Sequence, residues 1–461
     1  MNSALKLSAA RVAIVAALGL VAAMPVNAAD LGGNCCAELE ERIAELEATT
    51  ARKGNRKVSL EVSGQVNEAI MFWDDGFESN AYAVTNDNAR SRFRFKGDAK
   101  ITDGWKAGYM MEFGVRTNNS KRSNQDDPKG DGAGAVDVRH SYWFIDSKQL
   151  GRLSVGLTGG AAEGITEFNS AQTASIAKYS DQEDTGLGMF LRGTGGGLSA
   201  LSWRRLLRDN GDSPGEGRRS NLVKYETPSM TGFKATVNWG SDDAWEVGGR
   251  YEGELTGFKI GAGIAYGENT EGGGGNVAFE CLAQGSQVEA NTGSDSDCNQ
   301  IGGSISVMHV QSGLYVNFAA GQLTDNLVTR SNRFIGTGAD DTSTFWAVEG
   351  GIEQKWNELG KTTLFVQYYN NEGGANARRG LDAGDGANPF AVDARVFSTE
   401  LQSFGGGVVQ GIDAAAMSLY VFYRHYEADV TALSGPAGAG APGSVNLEDL
   451  DVVMGGAIIK F

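Results

Sequence analysis

From Lys57 to the C-terminus, apolar residues recur at every second position, and this period constrains the fold more than any other feature. Strand side chains point alternately to two faces, so a period of two means strands with one apolar and one polar face. In the clearest segment, Trp105, Ala107, Tyr109, Met111, Phe113 and Val115 oppose Lys106, Gly108, Met110, Glu112, Gly114 and Arg116. The pattern returns in Phe258, Ile260, Ala262, Ile264 and Tyr266, in Phe233, Ala235, Val237 and Trp239, and in Leu314, Val316, Phe318 and Ala320. A soluble sandwich also alternates. Aromatics near the strand ends of the apolar face, with Arg, Lys, Glu and Gly on the other, favour a membrane barrel.

The links sharpen this. Sixteen segments can be read between 57–73 and 447–461, with boundaries good to a few residues. Short links fall at Thr102-Asp103, Ser147 to Gln149, Pro228 to Thr231, Leu255-Thr256, Gln311-Ser312, Asn357 to Gly360 and Gly411-Ile412. Long ones fall between them at 118–134, 268–299, 324–342, 372–395 and 429–446, and Ser241-Asp242 is a short exception. Alternately short and long links over an even strand count are the arrangement of outer-membrane barrels, short turns being periplasmic. The expectation is an all-β chain, a sixteen-stranded antiparallel transmembrane β-barrel over residues 57–461; fourteen and eighteen strands are the neighbouring counts. Its last strand, Val453 to Phe461, ends on an aromatic, so that Phe461 resembles the signal by which such barrels are recognised for insertion. Ile459 stands where a second aromatic is usual.

Composition excludes the helical alternative. Apolar residues make up 41% of the chain, and beyond residue 30 no run of 18 uncharged apolar residues occurs. At the N-terminus, Lys6 and Arg11, the apolar run Val12 to Val21 and Val26-Asn27-Ala28 read as a signal peptide over residues 1–28. Without it, 38 Lys and Arg face 57 Asp and Glu, a net charge of −19 that disfavours nucleic acid as a partner.

Residues 29–56 form an N-terminal segment with the one clear helix, at 36–52. Cys36, Leu39, Ile43, Leu46 and Thr50 follow a spacing of alternating 3 and 4, a coiled-coil seam, and Glu38 precedes Arg42 by four residues. At about 16 residues such a helix is marginal alone. Self-association would stabilise it, and so would folding into the barrel mouth. Cys281 and Cys298 flank a polar Gly/Ser/Asp-rich stretch and are read as one disulfide within a loop, worth roughly 3 kcal/mol in the chain-entropy model. The other reading is two free thiols. Cys35 and Cys36 have no assigned role.

No catalytic residues, cofactor or metal are expected. Only His140, His309 and His425 are present, none within a recognisable catalytic motif, and neither a phosphate loop nor a zinc spacing occurs.

Several stretches resemble Gram-negative general porins. Ser91-Arg92-Phe93-Arg94-Phe95-Lys96-Gly97, through Gly104-Trp105-Lys106-Ala107-Gly108 to Glu112-Phe113, is similar to their second and third strands. Arg139 to Phe144 with Leu150-Gly151-Arg152-Leu153-Ser154-Val155-Gly156-Leu157 is similar to the strand pair before their constriction loop. The helix, with Lys53 to Leu60 and Ser63 to Asn67, resembles porins of alphaproteobacteria. The resemblance covers most of the mature chain. It implies a homotrimer in the cell outer membrane, in contact with lipid and lipopolysaccharide, passing small hydrophilic solutes and ions through water-filled pores.

It also implies that the third external loop, 159–217, folds inward as a constriction. That loop carries Glu163, Glu167, Asp181, Glu183 and Asp184, and opposite it would stand the ladder Arg90, Arg92, Arg94 and Lys96, joined by Arg139. Facing lipid, such a ladder would cost roughly 2–4 kcal/mol per residue near the midplane, which directs it to the lumen. Opposed charges at a narrow neck favour small polar solutes. Two alternatives go with this reading. One is a substrate-specific channel with an anion site built from Arg204, Arg205, Arg208, Arg218 and Arg219. The other adds a tether, because Ala29-Asp30 resembles the starts of barrels joined to peptidoglycan.

Overall fold

The structure is a computed structural model that describes residues 57–129, 136–207, 213–240, 243–270, 297–326, 328, 338–374, 395–433 and 441–461. The signal peptide, the Cys36-to-Thr50 seam and Cys281 lie outside the described residues.

The sheet begins with β1 (Glu61–Asp74), which turns back through 75–78 into β2 (Ser79–Thr85). A 3-10 turn at Asp87–Ala89 interrupts that stave, which resumes as β3 (Arg92–Thr102). Next come β4 (Trp105–Val115), β5 (Val136–Ser147) and β6 (Gly151–Gly159). The link after β6 holds a small hairpin, β7 (Phe190–Arg192) and β8 (Leu198–Ser202), and a helical turn, α1 (Arg204–Leu207). Strands β9 (Arg219–Glu226), β10 (Phe233–Gly240), β11 (Ala244–Leu255), β12 (Phe258–Asn269) and β13 (Cys298–His309) follow. The wall continues through β14 (Leu314–Asp325), β15 (Thr342–Gln354), β16 (Thr362–Gly373), β17 (Arg395–Ile412) and β18 (Met417–Leu433). It ends with β19 (Pro442–Val445) and β20 (Leu450–Lys460).

Among the described residues every strand-to-strand ladder is antiparallel, and β20 pairs with β1, which closes the cylinder. Two staves are each built from two pieces. β2 and β3 both pair with β1, and β19 and β20 both pair with β18, so the barrel has sixteen staves. Only 75–78 connect the first two staves, and the irregular part of the second is the inward turn at Asp87–Ala89. A two-residue hairpin at Thr256-Gly257, both at positive φ (50° and 81°), joins the paired Leu255 and Phe258. Two such residues match the right-handed twist of the flanking strands, and Gly takes this conformation without steric cost.

Alternation sorts the faces. Val66, Ile70, Phe233, Val237, Trp239, Val316 and Phe318 are exposed on the outside, as a lipid-facing belt needs. Phe461 ends the chain beside β1, exchanging backbone hydrogen bonds with Gly64 at 2.8 and 3.0 Å, its ring over that glycine. The inside is not uniformly wet. Met71, Tyr420, Phe422, Tyr426, Val452 and Met454 are buried against Ile176, Tyr179, Leu187, Met189, Trp203 and Leu206 of the link after β6. An apolar core thus fills one side of the lumen, and the polar chemistry is pushed to the other. Cys298, at the start of β13, is buried and disulfide-bonded.

Candidate functional site

The link between β6 and β9 travels around the inner wall, and its hydrogen bonds advance strand by strand. Ala161 N–H donates to Asn238 of β10 (2.6 Å) and Ala162 N–H to Glu246 of β11 (3.3 Å). Phe168 and Ser170 N–H groups donate to Ser304 and Ser306 of β13 (3.1 and 3.0 Å). Thr173 donates to Glu349 of β15 (2.8 Å), Gln367 of β16 donates to the Ala177 carbonyl (2.6 Å), and Arg424 of β18 to the Lys178 carbonyl (2.6 Å). On β12 the wall carries Gly263, where a Cβ would lie 2.7 Å from both Ile165 and Phe168. Lumen-facing polar residues therefore serve as docking points for an irregular backbone that needs partners when buried. None of the hydrogen bonds just named reaches β3 to β6 or β9.

The turn that interrupts β2 and β3 meets the far end of this route. Asn86 caps it, accepting from Asn88 N–H (3.1 Å), and donates to the Ile176 carbonyl (2.9 Å). Asn88 accepts from Lys178 N–H (2.9 Å). These contacts bring Asp87 and Arg90 into the lumen, where Arg90 pairs with Asp87 (3.3 Å) and Asp137 (3.0 Å).

On the β3–β5 wall, Glu112 of β4 is fully buried and takes three guanidinium groups. Arg139 Nε donates at 2.7 Å, Arg94 Nε at 2.7 Å, and Arg92 lies at 3.5 Å. Arg92 and Arg94 alternate on β3, but Arg139 reaches the same carboxylate through an irregularity. Opposite β4, Glu112 pairs with His140 and Phe113 with Val138, which leaves Arg139 as the extra residue of a bulge. Two neighbours can then share one face. Arg139 and His140 both line the lumen cavity, whereas strict alternation would separate them.

That cavity, about 580 Å³, lies between the wall and the link. Arg90, Arg92, Arg94, Arg116, Arg139, Arg218 and Arg219 line it, and Glu163, Glu167, Asp181, Asp184 and Glu216 of the link face them. With Lys121, Arg122 and Lys178, ten cationic groups stand against eight acids once Asp87, Glu112 and Asp137 are included. Most link acids have local counterions. Lys178 holds Glu167 (2.7 Å) and Asp181 (2.8 Å), and Lys121 holds Asp184 (3.3 Å). Glu163 instead pairs with Arg219 at 2.9 Å; burial alone would raise its pKa, but the facing Arg219 guanidinium keeps it down at about 2. Burial and the adjacent Glu167 push Asp181 up to about 7, even beside Lys178. Burial, reinforced by Glu167 and Asp181, lifts Glu216 well above the ordinary carboxylate range.

Eight of the ten residues singled out from sequence meet here: Arg90, Arg92, Arg94, Arg139, Glu163, Glu167, Asp181 and Asp184. Two do not. Lys96 continues the ladder but lines a second cavity of about 350 Å³ and pairs with Glu61 at 2.9 Å. Glu183 is buried against Lys121 (3.3 Å), off the cavity wall. Sequence reasoning passed over Glu112, Lys178, Arg116 and Glu216. A lone acid on the lumen face of β4, opposite two arginines, was the available signal for Glu112. The arginine run divides: Arg218 and Arg219 line the cavity, Arg204 is buried in α1, and Arg208 lies outside the described residues.

Residues 13–432 match a protein family described as Gram-negative porin. No curated protein matches the chain. Among solved structures, the anion-selective porin from Comamonas acidovorans is 16% identical, with 88% of this chain and 100% of that one covered and a TM-score of 0.49. OmpT, an outer membrane protein of Vibrio cholerae, is 12% identical over 89% of this chain and 99% of its own, with a TM-score of 0.48. The outer membrane channel DcaP of Acinetobacter baumannii is 11% identical over 89% and 100%, with a TM-score of 0.48.

Proposed function

This chain belongs to the Gram-negative porin family, whose members are outer-membrane channels and not enzymes, and from that premise we propose that its selectivity is set where the inward link faces the arginine wall. Small hydrophilic solutes and ions cross by diffusion through the opening between Arg90, Arg92, Arg94 and Arg139 on one side and Glu163, Glu167, Asp181 and Asp184 on the other. The observation that carries this reading is the run of link-to-wall hydrogen bonds from Asn238 to Arg424, beside which the charged gap lies. Opposed fixed charges align water there, so an apolar solute gives up hydration without compensation. The excess of guanidinium groups favours anions modestly, against the net negative charge of the whole chain.

Planar-bilayer recording in a KCl gradient tests this: the reversal potential should indicate weak anion preference, and a strong cation preference would overturn it. Liposome swelling separates this reading from a substrate-specific channel, which Arg218 and Arg219 in the cavity favour. Rates falling only with solute size support diffusion, whereas saturable uptake of one anionic class supports the specific channel.

The proposed assembly is a homotrimer whose outward belt contacts lipid and lipopolysaccharide. The N-terminal segment, outside the described residues, is given a tethering role through Ala29 to peptidoglycan. Mass spectrometry after muramidase digestion should find a muropeptide on Ala29, and a wholly unmodified N-terminus removes that part.

A further inference from the structure

On the outer surface, at the long-link end of the barrel, β18 and the chain entering β20 bring together a group that the channel does not use. We propose that His425, Glu427 and Asp449 form a binding site for a divalent transition cation of the Zn²⁺ class. The proposal is independent of how the pore selects solutes.

The strand pleat builds the site. Arg424 and Tyr426 are buried inward, so His425 and Glu427, two residues apart, share the outward face. Register places Asp451 directly across from His425, and Asp449 lies two residues earlier on the adjoining chain. His425 Nε2 lies 3.2 Å from a Glu427 carboxylate oxygen and 3.9 Å from one of Asp449, and one ligand atom from each residue fits within 4.8 Å. Tetrahedral zinc with bonds near 2.0–2.2 Å separates its ligand atoms by about 3.4 Å, so small side-chain rotations suffice.

The support around the imidazole matches what a ligating histidine needs. Its Nδ1 lies 2.8 Å from Asp451, whose same oxygen accepts from the Tyr423 hydroxyl at 2.6 Å. A carboxylate at Nδ1 keeps the proton on that nitrogen and turns the Nε2 lone pair towards Glu427 and Asp449. The Phe404 ring packs 4.9 Å from the imidazole. The Glu427 and Asp449 side chains are 55% and 58% exposed, which gives the ion an entry path and solvent for a fourth ligand. One imidazole with two carboxylates suits zinc, whereas calcium and magnesium prefer oxygen alone. A bound ion would join β18 to the chain entering β20, near the long link between them.

The test uses untagged full-length protein in detergent, with free thiols alkylated so that Cys35 and Cys36 do not contribute. Calorimetric titration with ZnCl₂ should show one Zn²⁺ per chain, with affinity falling as acid competes for the imidazole. His425→Ala should abolish this binding. Asp451→Asn, a change at a positioning residue, should weaken it roughly 10–100-fold while conductance and heat-modifiability stay unchanged. Should His425→Ala not fold, the exposed double substitution Glu427→Gln with Asp449→Asn answers the same question. Wild-type protein that takes up no Zn²⁺ would refute the site, as would undiminished uptake in the variants, and the imidazole would then be simply a protonated partner of its acids.

Discussion

Glu112 and Arg139, 27 residues apart, meet across β4 and β5 with Oε1 and Nε separated by 2.7 Å, and this contact exists because Arg139 is the extra residue of a bulge. Arg92 and Arg94 converge on the same buried carboxylate. Glu112→Gln leaves three guanidinium groups around a neutral amide. On the scale of a ruptured buried pair the loss is about 3 kcal/mol, with Arg94, partly exposed, adding least. Heat-modifiability on gels should show a lower unfolding temperature, and bilayer recordings a stronger anion preference.

Arg92 and Arg94 give the wall its charge excess. The double substitution Arg92→Gln with Arg94→Gln should move the reversal potential towards cations without closing the pore. An unchanged potential would remove both residues from the selectivity assignment.

Glu349 anchors the link where it crosses β15, accepting from Thr173 (2.8 Å), Asn169 (3.1 Å), Asn317 (3.1 Å) and Gln367 (2.5 Å). Buried hydrogen bonds contribute about 0.5–1.5 kcal/mol each, and stranded buried donors add to the loss. Glu349→Ala should loosen the link, giving noisier and larger single-channel conductance and faster swelling with larger sugars.

Asp181 makes the gap sensitive to pH. Its carboxyl is pushed up to about 7, so it is neutral below that pH and negative above it. Raising pH from about 6 to about 8 therefore adds negative charge to a net basic gap, and anion preference should fall. Asp181→Asn should flatten that step in reversal-potential measurements.

Cys298 is disulfide-bonded, and Cys281 is the partner its spacing favours. Peptide mapping without reductant should recover the 281–298 cross-link, and a different partner would correct the assignment.

Much of this architecture was legible in the chain because a barrel strand writes its environment into sequence. Lipid on one face and lumen on the other produce a period of two, and hairpins at one end must be short. Arg92 and Arg94 were readable for the same reason: two alternate charges with Phe93 and Phe95 between them can face only one way. Lys96 obeyed the alternation yet fell outside the gap, because a strand crosses several levels of the pore and periodicity does not report height. Glu183 misled for a different reason, since an irregular link has no period from which to read side-chain direction.

The sequence by itself determined the antiparallel barrel, the inner and outer faces of its staves and the last strand ending at Phe461, all of which follow from local alternation and turn length. The count of sixteen was fixed by which pieces pair with β1 and β18. Tertiary structure decided what stands in the lumen. The bulge that turns Arg139 beside His140, the inward turn that carries Arg90, and the docking of the link from Asn238 to Arg424 depend on partners brought together only when the sheet closes. The pairing of His425 with Asp451 depends on strand register in the same way. A strand's period specifies which face a residue joins, whereas the neighbours it meets there are set by register, bulges and closure.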